Sequence, residues 1–159
     1  MKTLVLYFSI DGHTEKVAEL ISKKINADVE KIILRRKLPE GFFKYLIGGF
    51  WAISGKKPSI EPLKADLKSY DIIFLGTPVW ATTYCPVFNS IFERYEIKGK
   101  KIAIFVTYAS MEGNSARNLL MRLESNNEII GTIGIIEREI KKGKFEDKIF
   151  GWLGKIKAL

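Results

Sequence analysis

The 159 residues are one domain's length and need neither disulfides nor a structural metal to bury a core. With 47% apolar and 28% charged residues the composition is that of a soluble globular protein, not a fibrous or disordered one. A single cysteine and a single histidine exclude a disulfide framework, leave too few ligands for a Cys/His zinc site and point to a reducing, cytoplasmic setting, while the net charge of +8 bears on partners and not on fold.

Thr3–Phe8 is continuously apolar, as strands covered on both faces of a parallel sheet are, and no small-residue cleavage site follows it. Ser9–Thr14 then turns the chain into a helix carrying Val17, Leu20, Ile21 and Ile25 at 3.6 spacing. Asp28–Ile33 reads as a second strand. Residues 36–60 are aromatic and basic and longer than a crossover needs, so they read as an insertion lying over one end of the sheet. Its greasiest part, Gly41–Ile53, contains Lys44 and falls short of the ~20 residues that span a bilayer.

Asp71–Gly76 is the third apolar run. Pro86, suited to a first helical turn, precedes Phe88, Ile91 and Phe92. Lys101–Thr107 and Glu128–Ile136 complete the strands, with a helix holding Leu119, Leu120 and Leu123 between them. Phe145, Ile149, Trp152, Leu153 and Ile156 form one stripe of a last helix. Strand and helix alternate throughout, which predicts a single α/β domain over residues 1–159, a doubly wound sheet with right-handed crossovers.

In such a sheet the ligand sits beyond the carboxyl ends of the strands. The first loop there, Ser9-Ile10-Asp11-Gly12-His13-Thr14, combines hydroxyls, a turn-permitting glycine and a helix amino terminus, a cradle for a phosphate dianion. It is neither a nucleoside-triphosphate loop nor a three-glycine dinucleotide loop. The second, Gly76 to Pro86, sets Trp80 and Tyr84 beside exposed backbone amides, stacking faces with edge hydrogen bonds for a planar aromatic ligand. The third, Thr107 to Asn114, adds Tyr108. His13, as a first-turn residue, reads as solvent-facing. Asp11 reads as a turn-stabilising side chain. Cys85 lies at a helix start, where a thiolate is favoured, yet fits better as a buried small residue.

The signatures Tyr7-Phe8-Ser9-x-x-Gly12-x-Thr14, Gly76-Thr77-Pro78-Val79-Trp80 and Phe105-Val106-Thr107 together resemble the flavodoxin family over about residues 1–35 and 69–157. The resemblance implies a flavodoxin-like sandwich: a five-stranded parallel sheet of order 2-1-3-4-5 with helices on both faces, holding FMN. By position it implies that Ser9, Ile10, Asp11, Gly12, His13 and Thr14 hold the phosphate. Pro78, Val79, Trp80, Ala81, Thr82, Thr83 and Tyr84 would line the isoalloxazine, with Thr107, Tyr108, Ala109 and Gly113 closing the other side. The chain departs from that family in carrying Ala81-Thr82 where many flavodoxins have a glycine, and in being basic. The Ser-x-x-Asp-Gly-x-Thr loop also resembles menaquinone-dependent protoporphyrinogen oxidases, which lack the Thr77-Pro78-Val79-Trp80 signature. A receiver domain needs acidic residues where Phe8-Ser9 and Thr77-Pro78 stand.

With no Ser/His/Asp set and no cleft carboxylate pair, the flavin would carry the chemistry. The expected function is electron transfer between redox partners, with an NAD(P)H- or quinone-linked FMN oxidoreductase, the insertion its lid, as the alternative. Residues 31–68 carry nine Lys/Arg against three Asp/Glu and residues 138–159 seven against three, so the positive charge is concentrated. An acidic redox protein is the expected partner, with an anionic membrane surface as a peripheral contact. Beyond net charge nothing resembles a nucleic-acid recognition motif, so no nucleic acid is expected.

Overall fold

Five strands pair in parallel: β1 (Thr3–Tyr7), β2 (Asp28–Lys31), β3 (Ile72–Trp80), β5 (Lys101–Tyr108) and β6 (Glu128–Ile136), ordered β2-β1-β3-β5-β6. A two-residue strand, β4 (Thr83–Tyr84), folds back antiparallel on β3. This is the expected flavodoxin-like order, with β4 added. The structure, a computed structural model, describes residues 1–36 and 54–156.

Side chains alternate along each strand, so each feeds two cores. Leu4, Leu6, Ile73, Leu75, Ile102 and Ile104 face α2 (Val87–Arg94) and α3 (Ser115–Leu123), meeting Val87, Phe88, Ile91 and Leu119. Val5, Phe74, Ala103 and Phe105 face α1 (His13–Ile25) and α5 (Glu146–Leu153), meeting Val17, Ile21, Ile149 and Trp152. The three central strands are buried on both sides, which is why their sequences are unbroken apolar runs. Each fully buried Leu, Ile or Phe is worth about 1.5–3 kcal/mol. Gly76 is required by this packing: a Cβ there would lie 2.1 Å from the Phe105 ring.

Three features depart from the sequence expectation. β6, expected to be covered on both faces, is an edge strand, and of its nine residues only Ile135 is buried. An apolar run reads alike in either place. β2 is shorter than Asp28–Ile33 and also lies at an edge, with Val29 48% and Ile33 54% exposed. β3 continues to Trp80 through what reads as a loop. Pro78 is tolerated there because it lies on the side of Gly76, whose carbonyl takes the Phe8 N–H as β1 ends, so no strand faces its missing donor.

The insertion closes at its base. Leu34 bridges Ile60, and residues 58–60 are fastened to α2 by Ser90 Oγ donating to the Pro58 carbonyl (2.6 Å) and Arg94 Nη1 to that of Ile60 (2.8 Å). The expected position of the insertion over the sheet and its role as a lid rest on residues 37–53, Phe42, Phe43, Tyr45, Phe50 and Trp51 among them, which lie outside the described residues. No helix among the described residues is long and apolar enough to cross a membrane.

Candidate functional site

The carboxyl ends of β1, β3 and β5 converge on a groove of about 170 Å³. After β1, Gly12 adopts φ +81 to start α1, a conformation that glycine takes without steric cost. The N-cap residue of α1 is Gly12, which has no side chain to accept from the first amides of the helix. Glu15 in that first turn accepts from the Tyr7 hydroxyl (2.9 Å) and from Lys31 Nζ (2.9 Å), tying the end of β1 to the helix. The Lys31 contact and the Tyr7 bond hold the Glu15 carboxyl below its ordinary range.

Thr14 and Thr107, each 1% exposed, join hydroxyls across the groove at 2.8 Å. Ser9 is 7% exposed, and its Oγ is buried with no hydrogen-bond partner among the described residues. A buried hydroxyl without a partner costs about 1–3 kcal/mol, so one at the mouth of a sheet marks a place where a ligand oxygen belongs. On β3, Thr77 Oγ1 accepts from the Cys85 amide (2.9 Å) and donates to the Pro78 carbonyl (2.9 Å), fixing the strand end against the approach to α2. Cys85 is fully buried, and burial pushes its thiol well above the usual range, so no thiolate forms there at neutral pH.

Of the sequence-predicted residues, Ser9, Ile10, Asp11, His13 and Thr14 line the groove with Pro78, Val79 and Trp80 from β3, Thr107 from β5 and Ala109 just after it. Gly12 supplies the turn. His13 is not solvent-facing: its side chain is 15% exposed, with Nδ1 3.8 Å from Glu137 Oε2. Glu137, first residue of α4 (Glu137–Lys141), lines the groove and was missed, although it directly follows a strand's carboxyl end like the loops that were read. No Lys or Arg lines the groove among the described residues. The ionisable side chains among its described lining residues are Asp11, Glu137 and His13.

Trp80 is 8% exposed and packs edge-on against Phe8, ring centroids 6.2 Å apart. Tyr108 leans instead toward β6, its ring edge 3.1 Å from where a Gly134 Cβ would lie. Thr83 and Tyr84 face away from the groove into another hollow. Between the hairpin strands, Ala81 (φ 45) and Thr82 (φ 65) make a two-residue turn with both φ positive, the type I′ geometry that suits strand twist. Neither is glycine, and each such residue costs of order 1–3 kcal/mol. The turn is held from outside. The Asn114 N–H donates to the Thr82 carbonyl (2.8 Å), and Gly113, at φ +59, approaches so closely that its Cβ would lie 2.5 Å from the same oxygen.

Residues 1–128 match the model of the NADPH-dependent FMN reductase family and contain all three ligand loops. The chain belongs to this family. Its sequence is 29% identical over 148 residues to the flavodoxin-like domain-containing protein BilS of Clostridioides difficile, covering 90% of this chain and 69% of BilS. The crystal structure of a flavoprotein from Bacteroides eggerthii superposes with a TM-score of 0.79 at 25% identity, covering 99% of this chain and 98% of the other. A flavoprotein from Lactobacillus acidophilus, solved in complex with FMN, gives a TM-score of 0.69 at 25% identity over 89% of this chain and 97% of its own.

FMN is the cofactor. The residues present fit its phosphate: an unpartnered buried hydroxyl, a helix amino terminus started by a glycine and a pair of threonine hydroxyls meet at the groove. Among the described residues no group of three His, Cys, Asp or Glu could hold a metal ion.

Proposed function

We propose that the protein is an FMN-dependent oxidoreductase that takes reducing equivalents from NAD(P)H in the cytoplasm and passes them to an acceptor. The observation that carries this reading is the family match, which runs through the groove-lining loops after β1, β3 and β5. Bound FMN would supply the redox chemistry, a two-electron couple able to take a hydride from the nicotinamide with a proton from solvent and to give two electrons and two protons to an acceptor such as a quinone. The chain's own residues bind and orient. Ser9 and Thr14 hydroxyls with the α1 amides take the phosphate, and Thr107 fixes the Thr14 rotamer through the 2.8 Å bond. Pro78, Val79 and Trp80 form an apolar wall that excludes water, with Trp80 braced by Phe8. Ala81, Thr82 and Gly113 shape the turn at the edge of that wall.

The second reading is an electron carrier that docks on an acidic redox protein. The net charge of +8 favours it, as does the likeness to a protein named for its flavodoxin-like domain. Anaerobic mixing of the FMN-loaded protein with NADPH or NADH separates the two. Bleaching of the flavin absorbance, followed by turnover with a small quinone, supports the reductase. Flavin that dithionite bleaches but neither nucleotide does establishes the carrier, whose transfer rate should then fall with ionic strength.

A further inference from the structure

A larger hollow, of about 600 Å³, opens beside the β3–β4 hairpin. The hairpin contributes to both spaces: Val79 and Trp80 of β3 line the groove, and Thr83 and Tyr84 of β4 line the hollow. The β4 strand is braced from the helices: Asn118 Nδ2 of α3 donates to Thr83 Oγ1 (2.9 Å), and the Tyr84 hydroxyl donates to Asn89 Oδ1 of α2 (2.9 Å). Asn89 Nδ2 in turn holds the Lys56 carbonyl at the rim (3.3 Å). These polar groups are spent on shaping the hollow.

The charges are not spent alike. Two cations and no carboxylate appear among the described lining residues. Lys57 is tied to Glu93 at 2.7 Å. Arg122 forms no ion pair among the described residues; its guanidinium stands 5.7 Å from the centroid of the Phe92 ring, a cation–π contact that leaves its forked donors open. Its charge reaches Tyr84, whose hydroxyl burial raises and Arg122 draws back down. Beside it Met121 is 58% exposed, an apolar side chain turned into the same space. A hollow of this volume suits one drug-sized molecule, and an open arginine fork selects a bidentate oxyanion.

We propose that this hollow is a second binding site, taking the oxyanion-bearing end of an aromatic compound that reacts at the flavin, with Arg122 as anion anchor and Tyr84 and Met121 as apolar surface. The link to a reacting compound rests on the reductase reading; the binding site itself does not. The oxyanion has two sources, a phosphate of the nicotinamide reductant or an acid group on the acceptor.

Equilibrium titration of the FMN-loaded protein at low salt with 2′,5′-ADP and, separately, with anthraquinone-2-sulfonate tests the site and tells the sources apart. At least one probe should bind at one per chain, and Arg122→Ala should weaken it about tenfold, three-fold at the least, while FMN affinity and melting temperature stay unchanged. Arg122→Lys, which keeps the charge but not the fork, should recover only part of the loss. No binding of either probe, or a change under threefold in Arg122→Ala, overturns the proposal. NADPH oxidation is followed in parallel. Arg122-dependent probe binding without NADPH turnover sinks the reductase reading and keeps the site; turnover with Arg122-independent probe binding does the reverse.

Discussion

Replacing Ser9 with alanine should move two quantities in opposite directions. The Ser9 hydroxyl is buried and lacks a partner among the described residues, so in the flavin-free protein it carries a desolvation cost of about 1–3 kcal/mol that alanine removes. For a chain of this length one kcal/mol corresponds to roughly 2–4 °C, so the apoprotein should melt several degrees higher. In the complex the same hydroxyl makes a charge-assisted bond to phosphate, worth about 1.5–3 kcal/mol. FMN should therefore bind about 10- to 100-fold more weakly to Ser9→Ala. Riboflavin, which has no phosphate, should bind with unchanged affinity. Thermal melts of the stripped protein and flavin fluorescence titrations with both ligands supply the numbers. An apoprotein that melts lower, or equal losses for FMN and riboflavin, would show that Ser9 serves the fold and not the phosphate.

Three other outcomes follow from named contacts. Gly76→Ala pushes a Cβ to 2.1–2.8 Å from three atoms of the buried Phe105 ring and should cost about 1–3 kcal/mol in urea unfolding; an unchanged midpoint would refute the packing argument. Glu15 has a depressed folded pKa, so its contribution is complete above its unfolded value of 4.5 and disappears as pH falls through the lower folded value. Glu15→Gln should then be less stable than the parent at neutral pH and converge with it in acid, and parallel curves across the range would contradict that. Buried Cys85, its thiol pushed well up, should resist Ellman's reagent until the chain unfolds; rapid labelling of the native protein would place it elsewhere.

The sheet and the turn that leads from β1 into α1 were legible for a shared reason. Thr3–Phe8, Asp71–Gly76 and Lys101–Thr107 are buried on both faces, so sequence and environment agree, and Ser9–Thr14 sits where a strand gives way to a helix. The hairpin was not legible. A type I′ turn announces itself by Asn-Gly or Asp-Gly, whereas Ala81-Thr82 is forced into it by Gly113 and the Asn114 amide, more than thirty residues away. The resemblance puts Tyr84 on the ring with Trp80, but Tyr84 belongs to β4, whose two residues line the hollow and not the groove. His13 looked exposed because its cover, Glu137, comes from the far end of the chain.

The 2.8 Å bond between Thr14 and Thr107 spans 93 positions of sequence, and that separation has a kinetic consequence. The groove does not exist until β1, β3 and β5 have all docked, and loops that long close late in folding. FMN therefore meets a chain that has already crossed its main barrier. It cannot template the sheet or speed its assembly. Its binding energy falls on the native side alone, where it lowers the rate of escape from the folded state. Added flavin should leave the refolding arm of a chevron plot where it was and depress the unfolding arm, so that the cofactor lengthens the protein's lifetime without hastening its birth.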